Sequence, residues 1–92
     1  MWTIREHRSL AKAVEKAPTQ IRKKYELWKN IVRHTGPEGL SKIPGFNDEG
    51  LGGEWKGFRS SRLSQAYRVI YRVERENLIA NVERVSKHDY RK

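Results

Sequence analysis

The stretch WKGFRSSRLSQAYRVIYRV, Trp55 to Val73, determines the predicted fold because it reads as two β-strands joined by a short turn. EWKGFRSSRL, residues 54–63, forms the first strand, SQA the turn, and YRVIYRVE, residues 67–74, the second strand. Such a short connection joins antiparallel neighbours. The stretch carries five cationic side chains and no acidic one, so positive charge lies along the predicted sheet.

Two helices and two further strands are predicted on either side of this stretch. MWTIREH alternates as a first strand, and SLAKAVEKA follows as a helix with Ser9 as its N-cap. PTQIRKKYELWKNIVRHTG repeats apolar residues at helical spacing, with Pro18 in the first turn and Gly36 as the stop. LIANVERV, residues 78–85, forms the last strand after another short turn. The order of elements is therefore β-α-α-β-β-β.

Residues 35–54 are predicted to form a long loop, because they contain six of the seven glycines and two of the three prolines. One helical turn fits at residues 38–42. Loops of this length in a compact domain are usually functional or disordered. This loop also contains apolar side chains, so we expect it to pack against the core through Leu40, Ile43, Phe46 and Leu51.

These elements predict a single domain, residues 1–92, of the α+β class. Its antiparallel sheet carries the two helices on one face and leaves a concave, cationic face open. The chain has no cysteine, so neither a disulfide nor a thiolate metal site is expected. No apolar run approaches the roughly 20 residues of a membrane span, and the N-terminus lacks the apolar stretch of a signal peptide. We therefore expect a cytoplasmic protein that does not enter a membrane.

Strand alternation divides the residues of the opening stretch between two faces of the sheet. In its second strand, the core face takes Tyr67, Val69, Tyr71 and Val73, and the open face takes Arg68, Ile70 and Arg72. In its first strand, the open face takes Lys56, Phe58, Ser60 and Arg62, and the other face takes Trp55, Arg59 and Leu63. Arginine is a planar, bidentate phosphate donor, and its alternation with an aromatic ring suits a strand of RNA or DNA. The alternative is a solvated sheet face whose arginines only maintain solubility.

The charge of the whole chain also favours a polyanionic partner. Its formal value is +9, from 20 Lys and Arg against 11 Asp and Glu. The second helix carries basic residues opposite its apolar stripe, namely Arg22, Lys23, Lys29 and Arg33. These residues are either a solvated helix surface or a second contact for nucleic acid.

Phosphodiester chemistry without a metal ion is the reaction that the candidate residues allow. The sequence has no metal-binding or phosphate-loop motif, its three histidines are scattered, and its carboxylates do not resemble a magnesium cluster. The remaining route is attack by an RNA 2′-hydroxyl on its own phosphate, which needs a base, cations and an acid. His88 is a candidate acid and a carboxylate of the loop is a candidate base, whereas the alternative is a solvated histidine.

Taken together, DEGLGGEWKGFRSSRLSQAYRVIYRVERENLIANVERVSKHDY, Asp48 to Tyr90, resembles the RelE/YoeB/YafQ/HigB superfamily of type II toxin–antitoxin toxins. The shared features are an acidic residue or histidine two positions before a leucine, a segment of glycine and tryptophan or phenylalanine that enters a strand, YRVIY, and the C-terminal VSKHDY. The resemblance implies a small basic ribonuclease that cuts mRNA in the A site of the 30S ribosomal subunit. It also implies a cognate antitoxin protein as partner, and no cofactor or metal.

The resemblance assigns roles to individual positions. Glu49 matches the general-base position, Arg68 matches the arginine that stabilises the phosphate, and Arg62 matches a position that is cationic or histidine. His88 matches the C-terminal acid position, and Tyr90 is similar to the aromatic residue that often ends these proteins. Which of Glu49 and His88 acts as base and which as acid stays open, because these assignments vary between members.

Two other functions remain as alternatives. One is a ParE-like inhibitor of DNA gyrase, a structural relative that generally lacks this set of acid and base residues, and the other is a non-catalytic basic RNA-binding module. For the ribonuclease, we expect contacts to mRNA or ribosomal RNA from Lys56, Phe58, Arg59, Arg72 and Tyr90 and from Lys23 and Lys29 of the second helix.

Overall fold

The computed structural model describes residues 1–87 and has an α+β architecture, as predicted. The elements are β1 (Thr3–Glu6), α1 (Arg8–Glu15), α2 (Thr19–Thr35), α3 (Glu38–Ser41), β2 (Glu49–Gly50), β3 (Arg59–Arg62), β4 (Tyr67–Glu74) and β5 (Ile79–Lys87). The strands form one sheet in the order β1-β5-β4-β3-β2. Within the described residues, no helix is long and apolar enough to cross a membrane.

The sheet is mixed, which corrects the predicted all-antiparallel arrangement. β1 pairs with β5 in parallel, whereas β5–β4, β4–β3 and β3–β2 are antiparallel pairs. A parallel pair requires a crossover connection, and the helices between β1 and β5 are part of that connection. β2 was not predicted, because a strand of two residues is too short to show any alternation.

β3 is shorter than the strand predicted over residues 54–63. Gly53 and Gly57 have φ angles of 61° and 95°, a region that side chains of L-residues rarely adopt. Residues Gly53–Trp55 therefore form a 3-10 turn, and the chain turns again at Gly57 before β3 begins. The prediction that Lys56 and Phe58 lie on the strand was wrong for this reason.

The core lies between α2 and the sheet. The apolar stripe of α2 consists of Ile21, Tyr25, Trp28 and Val32, and every one of these side chains is buried. Their spacing of three and four residues places them on one helix face. Gly36 ends the helix with φ 77°, and a Cβ there would lie 2.7 Å from Nε1 of Trp2. The predicted helix stop at Gly36 is confirmed.

The N-terminus of α1 is capped by a residue different from the predicted one. The backbone N–H of Leu10 donates to Nδ1 of His7, so His7 is the N-cap and Ser9 lies inside the helix. The hydroxyl of Ser9 is 2.8 Å from the same nitrogen. Histidine is an uncommon N-cap residue, which explains why the sequence favoured the serine.

The long loop packs against the core through three of the four predicted apolar residues, whereas Leu51 is half-buried and lies outside the core cluster. Leu40 and Phe46 are fully buried, and Ile43 packs against the core cluster. α3 supplies the helical turn expected at residues 38–42. Asp48 and Glu49, near the end of this loop, lie against the edge of β3.

Candidate active site

One face of the sheet is left uncovered by the helices. Val69 and Tyr71 of β4 belong to the core cluster with the helices, whereas Ile70 between them does not. Because successive side chains of a strand point to opposite faces, Arg68 and Arg72 share the side of Ile70. We call this side the open face.

Glu49 lies on the open face. The register pairs Glu49 with Ser60, Ser60 with Ile70, and Ile70 with Arg84. Directly paired residues of neighbouring strands present their side chains on the same face. The exposed carboxylate of Glu49 therefore belongs to a row that crosses four strands, and β2 is the element that places it there.

Arg62 and Arg68, which we call the arginine pair, lie directly opposite each other on β3 and β4. Arg68 donates through a terminal nitrogen to Oγ of the buried Ser60, over 3.0 Å. Nε of Arg62 is buried and has no hydrogen-bond partner within residues 1–87. Like charges on directly paired residues destabilise a sheet, so an anion bound by both side chains would stabilise the pair.

Two more arginines on the open face lie over aromatic rings. Arg84 is 5.1 Å from the ring centroid of Trp55, and Arg72 is 5.4 Å from that of Phe58. The ion pairs of the described residues involve Lys29, Arg59 and Arg75, and no arginine of the open face. We call Trp55, Phe58, Arg72 and Arg84 the aromatic–arginine cluster.

Sequence reasoning missed Arg84 because β5 contains a β-bulge. Ile70 pairs with Arg84, but the next residue, Tyr71, pairs with Val82, so Glu83 is the extra residue. Without the bulge, strict alternation from the buried Val82 would direct Arg84 to the core and Glu83 to the open face. The sequence signal that favours the observed arrangement is the apolar Val85, which is buried on the core side and so directs Arg84 to the open face.

Arg59 lies on the core side and is paired with Asp48. Its Nε and a terminal nitrogen donate to Oδ2 of Asp48 over 2.9 and 2.8 Å, and its register partner is the buried Tyr71. Burial lowers the pKa of Arg59, but the hydrogen bond and charge attraction of Asp48 outweigh it and raise the pKa overall. Arg59 therefore holds Asp48 in place, and its predicted contact to nucleic acid stays a prediction.

Asp48 is the centre of a buried network that the sequence did not indicate. Oδ1 of Asp48 accepts hydrogen bonds of 2.6 Å from Ser61 and from the hydroxyl of Tyr71, and only 2% of its side chain is exposed. The indole of Trp28 in turn donates to Ser61 over 2.9 Å. Burial and the hydrogen bond to Asp48 raise the pKa of Tyr71, so the phenol stays a donor. This network fixes the chain just before Glu49.

Lys23 and Lys29 do not share one exposed surface, which corrects the prediction of a common basic face on α2. Lys23 is exposed, whereas Lys29 is half-buried, 3.4 Å from Glu6 and 4.8 Å from the ring centroid of Tyr25. Lys29 follows Tyr25 by one helical turn, and this position directs it towards β1. Lys29 therefore joins α2 to the sheet.

Two predicted site residues, His88 and Tyr90, lie outside the described residues. The described chain ends at Lys87, immediately after Ser86, which pairs with Arg68. Lys56 is exposed in the turn before β3. In residues 1–87, no three histidine or carboxylate side chains are grouped so that they could hold a metal ion.

A carboxylate and the arginine pair on one solvent-accessible face can act together on a phosphodiester. Glu49 can accept a proton, and the guanidinium groups can stabilise negative charge that develops on phosphate oxygens. Ser60 holds one nitrogen of Arg68, which limits the motion of that guanidinium. The roles that the resemblance implies for Glu49, Arg62 and Arg68 are therefore compatible with this arrangement.

Solved structures with a similar fold cover almost the whole chain. YafQ from E. coli has a TM-score of 0.74 at 18% identity, covering 96% of this chain and 94% of that one. The archaeal RelE–RelB complex from Pyrococcus horikoshii contains a chain with a TM-score of 0.75 at 19% identity, covering 98% of both. A YoeB/ParE toxin from Agrobacterium tumefaciens has a TM-score of 0.68 at 18% identity, covering 95% of this chain and 99% of that one.

No protein-family model and no curated protein sequence matches the chain. The three structural similarities extend over both the helices and the sheet, since each covers at least 95% of this chain. The predicted resemblance is thus confirmed at the level of the fold: this chain has the fold of the RelE, YoeB and YafQ toxins.

Proposed function

We propose that the chain is the toxin of a type II toxin–antitoxin system and a metal-independent endoribonuclease that cuts mRNA in the ribosomal A site in the cytoplasm. The observation that supports this best is the open face, where Glu49 and the arginine pair lie on adjacent strands. No arginine of this face is neutralised by a carboxylate within residues 1–87. Such a face attracts a polyanion and carries a base for proton transfer.

In the proposed reaction, an RNA 2′-hydroxyl attacks its own phosphate. Glu49 takes the proton of the hydroxyl as the new O–P bond forms. Arg68 and Arg62 stabilise the charge on the phosphorane oxygens. His88 donates a proton to the leaving 5′-oxygen as the second O–P bond breaks. The products are a 2′,3′-cyclic phosphate and a 5′-hydroxyl, and the same products result if Glu49 and His88 exchange roles.

The expected partner is an antitoxin with an acidic toxin-binding segment. The similar RelE chain of Pyrococcus horikoshii was solved as a complex with RelB. The +9 charge of this chain would attract such a segment, and binding across the arginine pair would exclude RNA. Isolation of the chain from its own cells in complex with a small acidic protein would support this part of the proposal.

Gyrase inhibition is the main competing function, since one of the similar structures is named a YoeB/ParE toxin. A gyrase inhibitor has no need of a base beside paired arginines, so the open face favours the ribonuclease. We expect pulse labelling after expression without antitoxin to show protein synthesis falling before DNA synthesis. The reverse order would favour gyrase, and unchanged synthesis of both would favour a non-catalytic RNA-binding module.

The cleavage products provide the direct test of the chemistry. Because the base, cations and acid are side chains, cleavage of ribosome-bound mRNA should need no magnesium beyond the amount that keeps ribosomes intact. End-group analysis should find a 2′,3′-cyclic phosphate or 3′-phosphate upstream and a 5′-hydroxyl downstream. A 5′-phosphate, or a further requirement for a divalent cation, would contradict the mechanism.

The two lysines of α2 should respond differently to charge reversal. Lys23→Glu is expected to weaken ribosome association and leave stability unchanged, because Lys23 is exposed and phosphate contacts release counterions. Lys29→Glu places a carboxylate beside Glu6 in a half-buried position and should lower the free energy of unfolding by about 1–3 kcal/mol. Ribosome co-sedimentation and urea unfolding measure the two effects. If Lys23→Glu binds ribosomes like the wild type, that part of α2 is only a solvated surface.

A further inference from the structure

The aromatic–arginine cluster has a geometry that the proposed catalytic chemistry does not use. Trp55 and Phe58 meet edge to face, with ring centroids 5.3 Å apart and ring planes at 87°. Arg84 lies over the first ring and Arg72 over the second. The two arginines come from different strands, and the two rings come from the turn before β3.

The cluster is accessible to a ligand. Trp55 and Phe58 are half-buried, and Arg72 and Arg84 are exposed. Ile70, which pairs with Arg84 in the register, is only 3% exposed although it is not part of the core under the helices. Neighbouring side chains of the open face therefore cover Ile70.

A guanidinium held over a ring is well suited to nucleic acid. Its charge is retained, and contact with the ring reduces the conformational entropy that an exposed arginine would lose on binding. Unpaired bases stack both on aromatic rings and on guanidinium planes. A solvated arginine without a ring beneath it would offer charge alone.

We propose that the aromatic–arginine cluster is a stacking subsite for nucleobases of single-stranded RNA, beside the phosphate site of the arginine pair. This inference rests on the proposed function. Arg72 and Arg68 belong to the same face of β4 and are separated by four residues, about 13 Å along a strand. Arg84 pairs with Ile70, midway between them. The phosphate site and the stacking subsite can thus contact neighbouring parts of one RNA strand.

The test separates stacking from charge by changing the RNA. A hexamer of 2′-O-methyl RNA, which lacks the attacking hydroxyl, is compared with an abasic hexamer of the same phosphate count. Fluorescence anisotropy of the labelled oligomers gives the two Kd values at several salt concentrations. Wild type is expected to bind the base-containing hexamer about tenfold more tightly than the abasic one. The salt dependence should be equal for both oligomers, because their charges are equal.

Variants of the cluster locate the effect. Trp55→Ala should remove most of the tenfold difference and keep the affinity for the abasic hexamer, whereas Trp55→Phe should retain part of the difference. Arg84→Lys preserves charge and removes the planar group, so it should reduce the difference without changing the salt dependence. Arg75→Lys is the matched control, because Arg75 is exposed and paired with Glu38 outside the cluster.

Each outcome supports or overturns the inference. If wild type binds both hexamers equally, or if Trp55→Ala and Arg84→Lys keep the full difference, the cluster is not a stacking subsite, while phosphate binding and the proposed cleavage remain. If wild type binds neither hexamer, the cluster is not a stacking subsite, and cleavage of ribosome-bound mRNA decides the proposed function separately. If Trp55→Ala fails to fold, the measurement on Arg84→Lys still tests the inference.

Discussion

Arg68→Ala is expected to lower the single-turnover rate of mRNA cleavage on the ribosome by about 10²–10³-fold. Arg68 is the arginine of the pair whose guanidinium is fixed, through its 3.0 Å hydrogen bond to Ser60. Alanine removes the charge that would stabilise the phosphorane and leaves Arg62 alone on the adjacent strand. Arg68→Lys should recover only part of the rate, because lysine restores a point charge without the planar donor geometry.

The controls for this measurement distinguish catalysis from folding. Arg75→Ala removes an arginine whose side chain is 59% exposed and ion-paired with Glu38, so cleavage and melting temperature should both stay close to wild type. Glu49→Gln should reduce cleavage by about 10²–10⁴-fold if Glu49 transfers the proton. If Arg68→Ala and Glu49→Gln both cleave within a fewfold of wild type while folding normally, the assigned site is wrong.

The part of the fold that the sequence predicted well depends on regular periodicity. The stripe from Ile21 to Val32 identifies α2, and unbroken alternation along β4 assigns Arg68 and Arg72 to the open face. In both elements, neighbouring residues along the chain determine which side chains become buried. A pattern of this kind needs no knowledge of the partner strand or helix.

Features that depend on pairing between distant segments were not predictable in this way. Arg84 reaches the open face only because of the bulge at Glu83, which becomes visible once β5 is aligned with β4. Glu49 was assigned from resemblance alone, and its place on the open face depends on the two residues of β2 pairing with β3. Lys29 was predicted as a solvated helix residue because the sequence does not show that β1 places Glu6 beside it.

Asp48 is the clearest example, since its partners Arg59, Ser61 and Tyr71 are 11, 13 and 23 residues away in the sequence. Asp48 directly precedes Glu49 in a glycine-rich loop, and a carboxylate in such a loop is normally expected to be solvated. Its burial depends on these partners from β3 and β4, and could not be inferred from the local pattern.

Asp48→Ala is therefore expected to destabilise the protein by about 3 kcal/mol, because it leaves two hydroxyl donors without their acceptor and a partly exposed arginine without its carboxylate. The substitution leaves Arg59 without its carboxylate, and leaves the hydroxyls of Ser61 and Tyr71 without their acceptor. Since domains of this size have unfolding free energies of about 5–15 kcal/mol, much of the stability should be lost. Urea unfolding followed by circular dichroism measures the change.

Two variants show whether the loss comes from this network. Glu54→Ala removes an exposed carboxylate from the same loop and should change stability by less than about 0.5 kcal/mol. Asp48→Asn keeps the shape and one acceptor oxygen but removes the charge that pairs with Arg59. Its loss of unfolding free energy should therefore fall between those of Glu54→Ala and Asp48→Ala. Because Asp48 also anchors the chain next to Glu49, both Asp48 variants should cleave mRNA more slowly even at temperatures where they are fully folded. A loss below about 1 kcal/mol for Asp48→Ala would mean that the network contributes little, and that another contact holds Glu49 on the open face.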